Sequence, residues 1–162
     1  MKKIGVKKGT LLQKKGDMNT KIYEVESGLL RSFSIDSKGK EHVFLFAPKG
    51  WIVADAFEPE NASELFIEAL EDSIVIVKER DESLINASPF LLAKRISVLQ
   101  SRVIRLMSAS AIERYEFFLK TYPDIVQRVS QKMIASFLGI TPEALSKAKG
   151  DKMRASKKGA IS

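Results

Sequence analysis

The sequence predicts an α+β protein, with short strands in its first half and helices in its second. Three observations carry that expectation. Glycines at 16, 28, 39 and 50 recur every 11 or 12 residues between short β-rich runs, the spacing of consecutive strands in a sandwich or barrel. From Pro89 onward the apolar residues switch to helical spacing. The formal charge of +7 is also unevenly placed. Residues 1–119 hold 18 Lys and Arg against 17 Asp and Glu, whereas residues 120–162 hold 9 against 3, so a net +6 lies in the last quarter of the chain.

At 162 residues, 44% hydrophobic and 29% charged, the chain has the size of one average domain or two small ones, with an ordinary globular composition. The absence of cysteine removes disulfides, zinc ribbons, thiolate iron–sulfur clusters and Cys nucleophiles together. Apolar runs such as Val43–Ala47 are too short to span a bilayer. Met1-Lys2-Lys3-Ile4-Gly5 has the charge of a signal peptide but no apolar stretch behind it. A cytoplasmic protein with no membrane partner is expected.

In the first half, Ile22–Val25 precedes Ser27-Gly28, and Leu29–Ile35 precedes the polar turn 36–40. His42–Phe46 precedes Pro48-Lys49-Gly50, and Ile74–Val77 follows Glu71-Asp72. Alternation places Leu30, Ser32 and Ser34 on one side of their strand, with Leu29, Arg31, Phe33 and Ile35 mixed on the other.

The pattern changes at Asn86-Ala87-Ser88-Pro89, where Asn86 or Ser88 can cap a helix and Pro89 fits its first turn. Leu92, Ile96, Leu99, Val103 and Leu106 then follow at spacings of 4, 3, 4 and 3, flanked by Lys94, Arg95, Arg102 and Arg105. Leu91, Val98 and Ile104 offer a second apolar face. A helix that is apolar on two faces is expected to be sandwiched, here in a homodimer and against the β half. A second helix is expected over Ile112–Tyr122, stopped by Pro123, and after the link Gln127–Ser130 a third over Gln131–Leu138. Thr141-Pro142-Glu143 reads as a helix start. Residues 151–162 are polar and basic without periodicity and are expected to fray.

Gln131–Gly150, QKMIASFLGITPEALSKAKG, has the pattern of a DNA-binding helix-turn-helix. Ala135 is small where the second helix crosses the first, Gly139 relieves the turn, and Ile134, Leu138, Ile140 and Leu145 close a small core. Pro142, Glu143, Ser146 and Lys147 are left on the outer face. In such units the second helix enters the major groove by its N-terminal residues. Glu143 is then suited to a cytosine amino group and Lys147 to guanine or a phosphate. Thr141, Ser146 and Lys149 suit backbone contacts, and Lys132, Lys152 and Arg154 add field.

The order of parts resembles the Crp/Fnr family of transcription regulators. The resemblance rests on Lys8-Gly9-Thr10, Lys15-Gly16-Asp17, Tyr23–Arg31, Gly39-Lys40-Glu41 and Pro48–Trp51. In the helical half it rests on Glu113-Arg114-Tyr115, Tyr122-Pro123 and Gln127-Arg128-Val129 through Ser146-Lys147, which resemble the branch common in the Bacteroidetes. The resemblance implies a cyclic-nucleotide-binding-like β-roll (a double-stranded β-helix or jelly-roll) over 1–88, a long dimerisation helix over 89–109 and a C-terminal winged-helix-like helix-turn-helix over 110–150, followed by the basic tail 151–162. It implies as partners double-stranded DNA bearing a pseudo-palindromic promoter site, a second copy of the chain, RNA polymerase and a small-molecule effector.

The chain departs from the family pattern in places. Nucleotide-binding members carry a Gly-Glu pair and then an Arg-Ser or Arg-Thr pair, whereas this chain reads Gly50–Asp55 and then Asn61-Ala62-Ser63-Glu64, with no arginine between Arg31 and Arg80. A buried phosphodiester without its cationic fork is poorly compensated, so no tight binding of cyclic AMP or cyclic GMP is expected. The pocket residues the resemblance implies are Phe46, Trp51, Ile52, Ala54, Asp55 and Glu64. No iron–sulfur cluster, haem or metal is expected, because cysteine is missing and His42 reads as a surface residue near a turn. Lys147 and Lys149 stand where the branch often has arginine, and little sequence follows Lys149 to build a full wing. The alternatives are a jelly-roll protein-interaction module and a cupin-like enzyme. The latter needs clustered ligands or an acid/base pair, and Asp55, Glu58 and Glu60 in one loop are a thin basis for it.

Overall fold

The turn glycines divide the first half of the chain into strands that form two antiparallel sheets. The structure, a computed structural model, describes residues 1–55, 61–79 and 89–159. It divides into two units, Met1–Ala87 and Ser88–Ser162. In the first unit the strands are β1 Lys2–Val6, β2 Leu11–Gln13, β3 Ile22–Ser27, β4 Leu29–Ile35, β5 Glu41–Pro48, β6 Ile52–Val53, β7 Phe66–Ala69 and β8 Ser73–Lys78. One sheet has the order β1-β8-β3-β6 and the other β2-β7-β4-β5. Tyr23, Val25, Leu30, Val53, Ile67 and Val75 belong to the buried core of this roll, with Trp51 packed at its margin.

Gly28, between β3 and β4, is fixed by its neighbour as well as by its backbone. Its φ is +95°, in the region that favours glycine. A Cβ there would lie 2.1 Å from Ser73 Oγ and 2.7 Å from Ser73 Cα. The Ser73 hydroxyl in turn accepts from the Leu29 amide at 3.2 Å and donates to the Glu71 carbonyl at 2.8 Å.

Both sides of the strand Leu29–Ile35 are buried over most of its length. Leu29 through Phe33 are all buried, because β4 is a central strand between β7 and β5 and its polar face is covered too. The Arg31 guanidinium lies 4.0 Å from the centre of the Phe33 ring, which stacks on Phe66 at 5.1 Å. Arg31 donates to Glu68 at 2.7 Å and to Glu41 at 2.6 Å.

The second unit contains α1 Pro89–Ser108, α2 Ala111–Thr121, α3 Gln131–Leu138 and α4 Pro142–Gly159. The caps Asn86 and Ser88 lie outside the described residues. Ser110 starts α2 with a reciprocal capping box: its hydroxyl accepts from the Glu113 amide, and the Glu113 carboxylate accepts from the Ser110 amide at 2.7 Å. The Ser110 hydroxyl, 2.6 Å from Glu113 Oε2, and then the Ser110 amide hold the Glu113 carboxyl below its ordinary range. Ser130 caps α3 by accepting from the Met133 amide.

The frayed tail expected after Gly150 is instead helical as far as Gly159. One exposed glycine inside a helix costs only about 1 kcal/mol relative to alanine. Beyond it, Lys152 pairs with Glu116 of α2 at 3.0 Å, which ties the added turns to the body of the unit.

Candidate nucleic-acid interface

The turn between α3 and α4 is built on Gly139. Its backbone is left-handed, φ 66° and ψ 33°, and its amide reaches back to the carbonyls of Ala135 and Ser136. The Ile140 amide bonds the Ala135 carbonyl at 3.0 Å. This is the Schellman arrangement that ends a helix and redirects the chain. Thr141 then caps α4, its hydroxyl accepting from the Ala144 amide at 3.2 Å. The backbone amide of Glu143 itself and then the Thr141 hydroxyl hold the Glu143 carboxyl below its ordinary range.

Beneath the turn, Ile134, Ala135, Leu138 and Leu145 are buried as their spacing predicts, and Ile140 is half-buried. Phe118, Tyr122 and Phe137 complete this core with ring centres 5.3–5.5 Å apart. Burial pushes the Tyr122 phenol up to about 12 against the opposing pull of Arg102.

Thr141, Pro142, Glu143, Ser146 and Lys147 lie together at the exposed start of α4, and Lys132 is exposed on α3. Lys149 faces elsewhere: it is half-buried and its ammonium donates to Gln131 of α3 at 3.0 Å. Arg154 is exposed two turns further on, 3.9 Å from Asp151.

On α1, Ile96, Leu99, Val103 and Leu106 are all exposed, Val103 at 53%. The side chain of Leu92 lies outside the described residues. Ile104 and Met107 are exposed as well. Arg102 and Arg105 reach neighbouring helices of the same unit. Arg102 donates to the Phe137 carbonyl at 3.3 Å with its guanidinium 4.2 Å above the Phe137 ring, and Arg105 lies 3.5 Å above the Phe117 ring.

The six residues expected to line an effector pocket are placed unevenly. Phe46 is wholly inside the roll, Trp51, Ala54 and Asp55 are half-buried, and Ile52 and Glu64 are exposed. Asp55 is the centre of a network that joins three segments. Its Oδ2 accepts from Ser63 Oγ at 2.6 Å, from the Glu64 and Leu65 amides at 2.9 Å each, and from Gln13 Nε2 at 3.2 Å. The buried Gln13 amide also donates to Ser63 Oγ at 2.7 Å. Glu58 and Glu60 lie outside the described residues. His42, on β5, has Nε2 2.8 Å from Asp36 Oδ2. That contact and the amides of Lys40 and Lys38 hold the Asp36 carboxyl down at about 2. Among the described residues no group of three or more His, Asp or Glu could hold a metal ion, and no helix is long and apolar enough to cross a membrane.

Sequence reasoning misses two features. Asp55 reads as a pocket residue, and nothing local signals that its partners lie 8 to 42 residues away. Arg114 reads only as part of a motif, yet it bonds three carbonyls from two helix ends.

No family model matches the sequence. The nitrogen fixation regulation protein FixK of Rhizobium meliloti strain 1021 is 27% identical over 154 residues, spanning 87% of this chain and 70% of the relative. Among solved structures, FixK2 of Bradyrhizobium japonicum matches with a TM-score of 0.80 at 19% identity, over 96% of this chain and 85% of that one. A CRP/FNR-family transcriptional regulator of Thermus thermophilus matches with a TM-score of 0.77 at 18% identity, over 95% and 87%. The chain therefore has the fold of the CRP/FNR regulators.

Proposed function

We propose that this chain is a transcription regulator of the CRP/FNR type, of the branch resembled by Glu113-Arg114-Tyr115 and Gln127–Lys147, and that it binds a pseudo-palindromic DNA site as a homodimer in the cytoplasm. The observation that carries the reading is the α3–Gly139–α4 unit, which holds Thr141, Pro142, Glu143, Ser146 and Lys147 at the exposed start of its second helix. The net +6 of residues 120–162 supplies the phosphate-seeking field around it. The regulator names of the similar proteins agree with this role and with a non-enzymatic one.

The exposed seam of Ile96, Leu99, Val103 and Leu106 supports dimerisation through α1. A contiguous apolar stripe on a helix this long is an interface in want of a partner. Two copies related by a two-fold axis present their recognition helices to half-sites about one helical turn apart.

The β-roll is the regulatory half in this reading, with an effector near Trp51 and Ala54 that is not cyclic AMP or cyclic GMP. The Asp55 carboxylate already takes the Glu64 and Leu65 amides and the Ser63 hydroxyl, so a nucleotide phosphate arriving there would meet an anion instead of free donors. RNA polymerase is the further partner such a regulator requires.

Selection of binding sites from random duplexes, followed by footprinting, tests the reading. The expected outcome is one preferred two-fold site whose affinity falls steeply with salt. Uniform binding to all sequences, or none, overturns it.

A further inference from the structure

The last four carbonyls of a helix have no partner within it and must find one elsewhere. In α3 the accounting closes fully. The Ala135 and Ser136 carbonyls accept from the Gly139 and Ile140 amides. The Phe137 carbonyl accepts from Arg102 of α1 at 3.3 Å. The Leu138 carbonyl accepts from Arg114 of α2 at 3.1 Å. Arg114 does not stop there: its Nη2 donates to the Leu106 carbonyl at 2.7 Å and its Nε to the Ala109 carbonyl at 3.0 Å. One guanidinium therefore joins the end of α1 to the end of α3, just before the turn into the recognition helix.

The fit is specific to the arginine fork. A guanidinium offers planar, rigidly spaced donors, whereas lysine offers one mobile ammonium. Two helix ends carry partial negative charge, which favours a cation between them. The glycine of the turn makes room for the joint. A Cβ on Gly139 would come within 3.2 Å of Leu106 Cδ2 and 3.6 Å of Arg114 Nη1.

We propose that Arg114 is a positioning residue: it fixes the angle between α1 and the helix-turn-helix, and so sets the half-site spacing that the dimer accepts. This rests on the homodimeric DNA-binding reading. Leu106 stands at both ends of the argument, since its side chain belongs to the exposed α1 seam while its carbonyl is held by Arg114. With α1 fixed in the dimer, any rotation at the Arg114 joint swings the start of α4 relative to its two-fold mate. Changing the spacing by one base pair moves a half-site by about 3.4 Å and turns it by about 36°, so a rigid joint selects one spacing and a loose joint accepts several.

The test measures binding of the wild type, Arg114→Met and Arg114→Lys to the selected site, to versions one base pair shorter and longer, and to an isolated half-site. The wild type is expected to lose about tenfold or more for either change of spacing. Arg114→Met, which keeps a long stem but no donors, is expected to accept all three within about threefold, with half-site affinity within about twofold of wild type. Arg114→Lys is expected to fall between them, and decides the matter by the same criteria should the Met variant fail to fold. Spacing discrimination equal to wild type in a folded variant overturns the joint. So does an equal loss on the half-site and the full site, which would make Arg114 a support of the reading head alone. A wild type that binds DNA without any spacing preference overturns the regulator reading and the joint with it, an outcome visible before any variant is compared.

Discussion

The two units of this molecule treat their polar and apolar groups in opposite ways. In the β-roll several side chains pair across strands and turns. Arg31 is held by Glu68 and Glu41, Lys78 by Glu24, Lys21 by Glu79, Lys7 by Asp72, and His42 lies on Asp36. Asp55 is spent on the chain's own amides. The helical unit closes its helix ends with equal care but leaves an apolar seam along α1 and an exposed polar start to α4 that carries both Glu143 and Lys147. The exposed pairs of the roll each contribute little to stability, and Lys2, Lys8, Lys14, Lys15, Lys38, Lys40 and Lys49 stay exposed around them. The difference bears on the proposed partners: the exposed seam of α1 suits the proposed second copy and the exposed residues around Lys147 suit the proposed polyanion, whereas the Asp55 network of the roll is filled by its own chain.

The sharpest way to break that comparison is at Gly28, because the roll's closure depends on it. Gly28→Ala places a Cβ 2.7 Å from the Ser73 backbone in a left-handed conformation, which is expected to destabilise the roll by about 3 kcal/mol. The single tryptophan, Trp51, packs at the roll's core, so its fluorescence in a urea titration reads that unit alone. Far-ultraviolet dichroism at helical wavelengths reads the other. A large shift in the first with little in the second is expected; equal shifts in both would erase the distinction between the units.

The seam of the helical unit is tested by Val103→Asp. Val103 is exposed in the single chain, so the change should leave the monomer folded while placing a charge at the centre of the proposed dimer interface. Association is expected to weaken by about 100-fold, read as monomer in sedimentation at micromolar concentration. An undisturbed dimer would move the interface off this stripe.

Asp55→Ala probes the roll's self-sufficiency. Removing the carboxylate strands the Glu64 and Leu65 amides around a small cavity, while the Gln13 amide keeps Ser63 Oγ and the Leu65 carbonyl, at a cost of about 2 kcal/mol. Urea unfolding followed at Trp51 measures it. A neutral result would show that water or the neighbouring carbonyls replace the carboxylate, and that the roll is as open to an outside ligand as the helical unit is.

How much of this was legible follows from sequence distance. The α3–Gly139–α4 unit is written in consecutive residues, and each requirement is local: a small residue at Ala135, a left-handed one at Gly139, a cap at Thr141. The expected α3 boundaries, Gln131–Leu138, coincide with the observed ones because a serine cap and a glycine stop both mark them. The turns of the roll were legible for the same reason. What was not legible is long-range. Gln13 meets Ser63 across 50 residues and Arg102 meets Phe137 across 35, and no spacing announces either. The burial of both faces of β4 failed to register because Arg31 reads as a solvated residue until Phe33 and Phe66 are seen beneath it. The helix beyond Gly150 was hidden by a composition that reads as tail until Lys152 is matched with Glu116.

The smallest effect at neutral pH comes from the tyrosine packed between Phe118 and Phe137. Tyr122 is 5% exposed, and its burial raises the phenol from an ordinary 10 to about 12. The folded chain therefore keeps this proton to a higher pH than the unfolded chain does. Below about 10 both states hold it and folding is unaffected. Between 10 and about 12 only the folded state holds it, so each rise in pH favours unfolding. Tyr122→Phe keeps the ring against Phe118 and Phe137 and removes the titration, at a neutral-pH cost of about 1 kcal/mol or less. Its melting temperature should lie at or slightly below wild type at pH 7 and gain on wild type steadily above pH 10. Tyr23 in the roll is raised in the same direction, but its hydroxyl donates to the Leu12 carbonyl at 2.8 Å, so Tyr23→Phe should already cost stability at pH 7. A constant gap between wild type and Tyr122→Phe across that range would mean that the phenol reaches water in the folded state, and that the core beneath α4 is looser than the packing of its three aromatic rings requires.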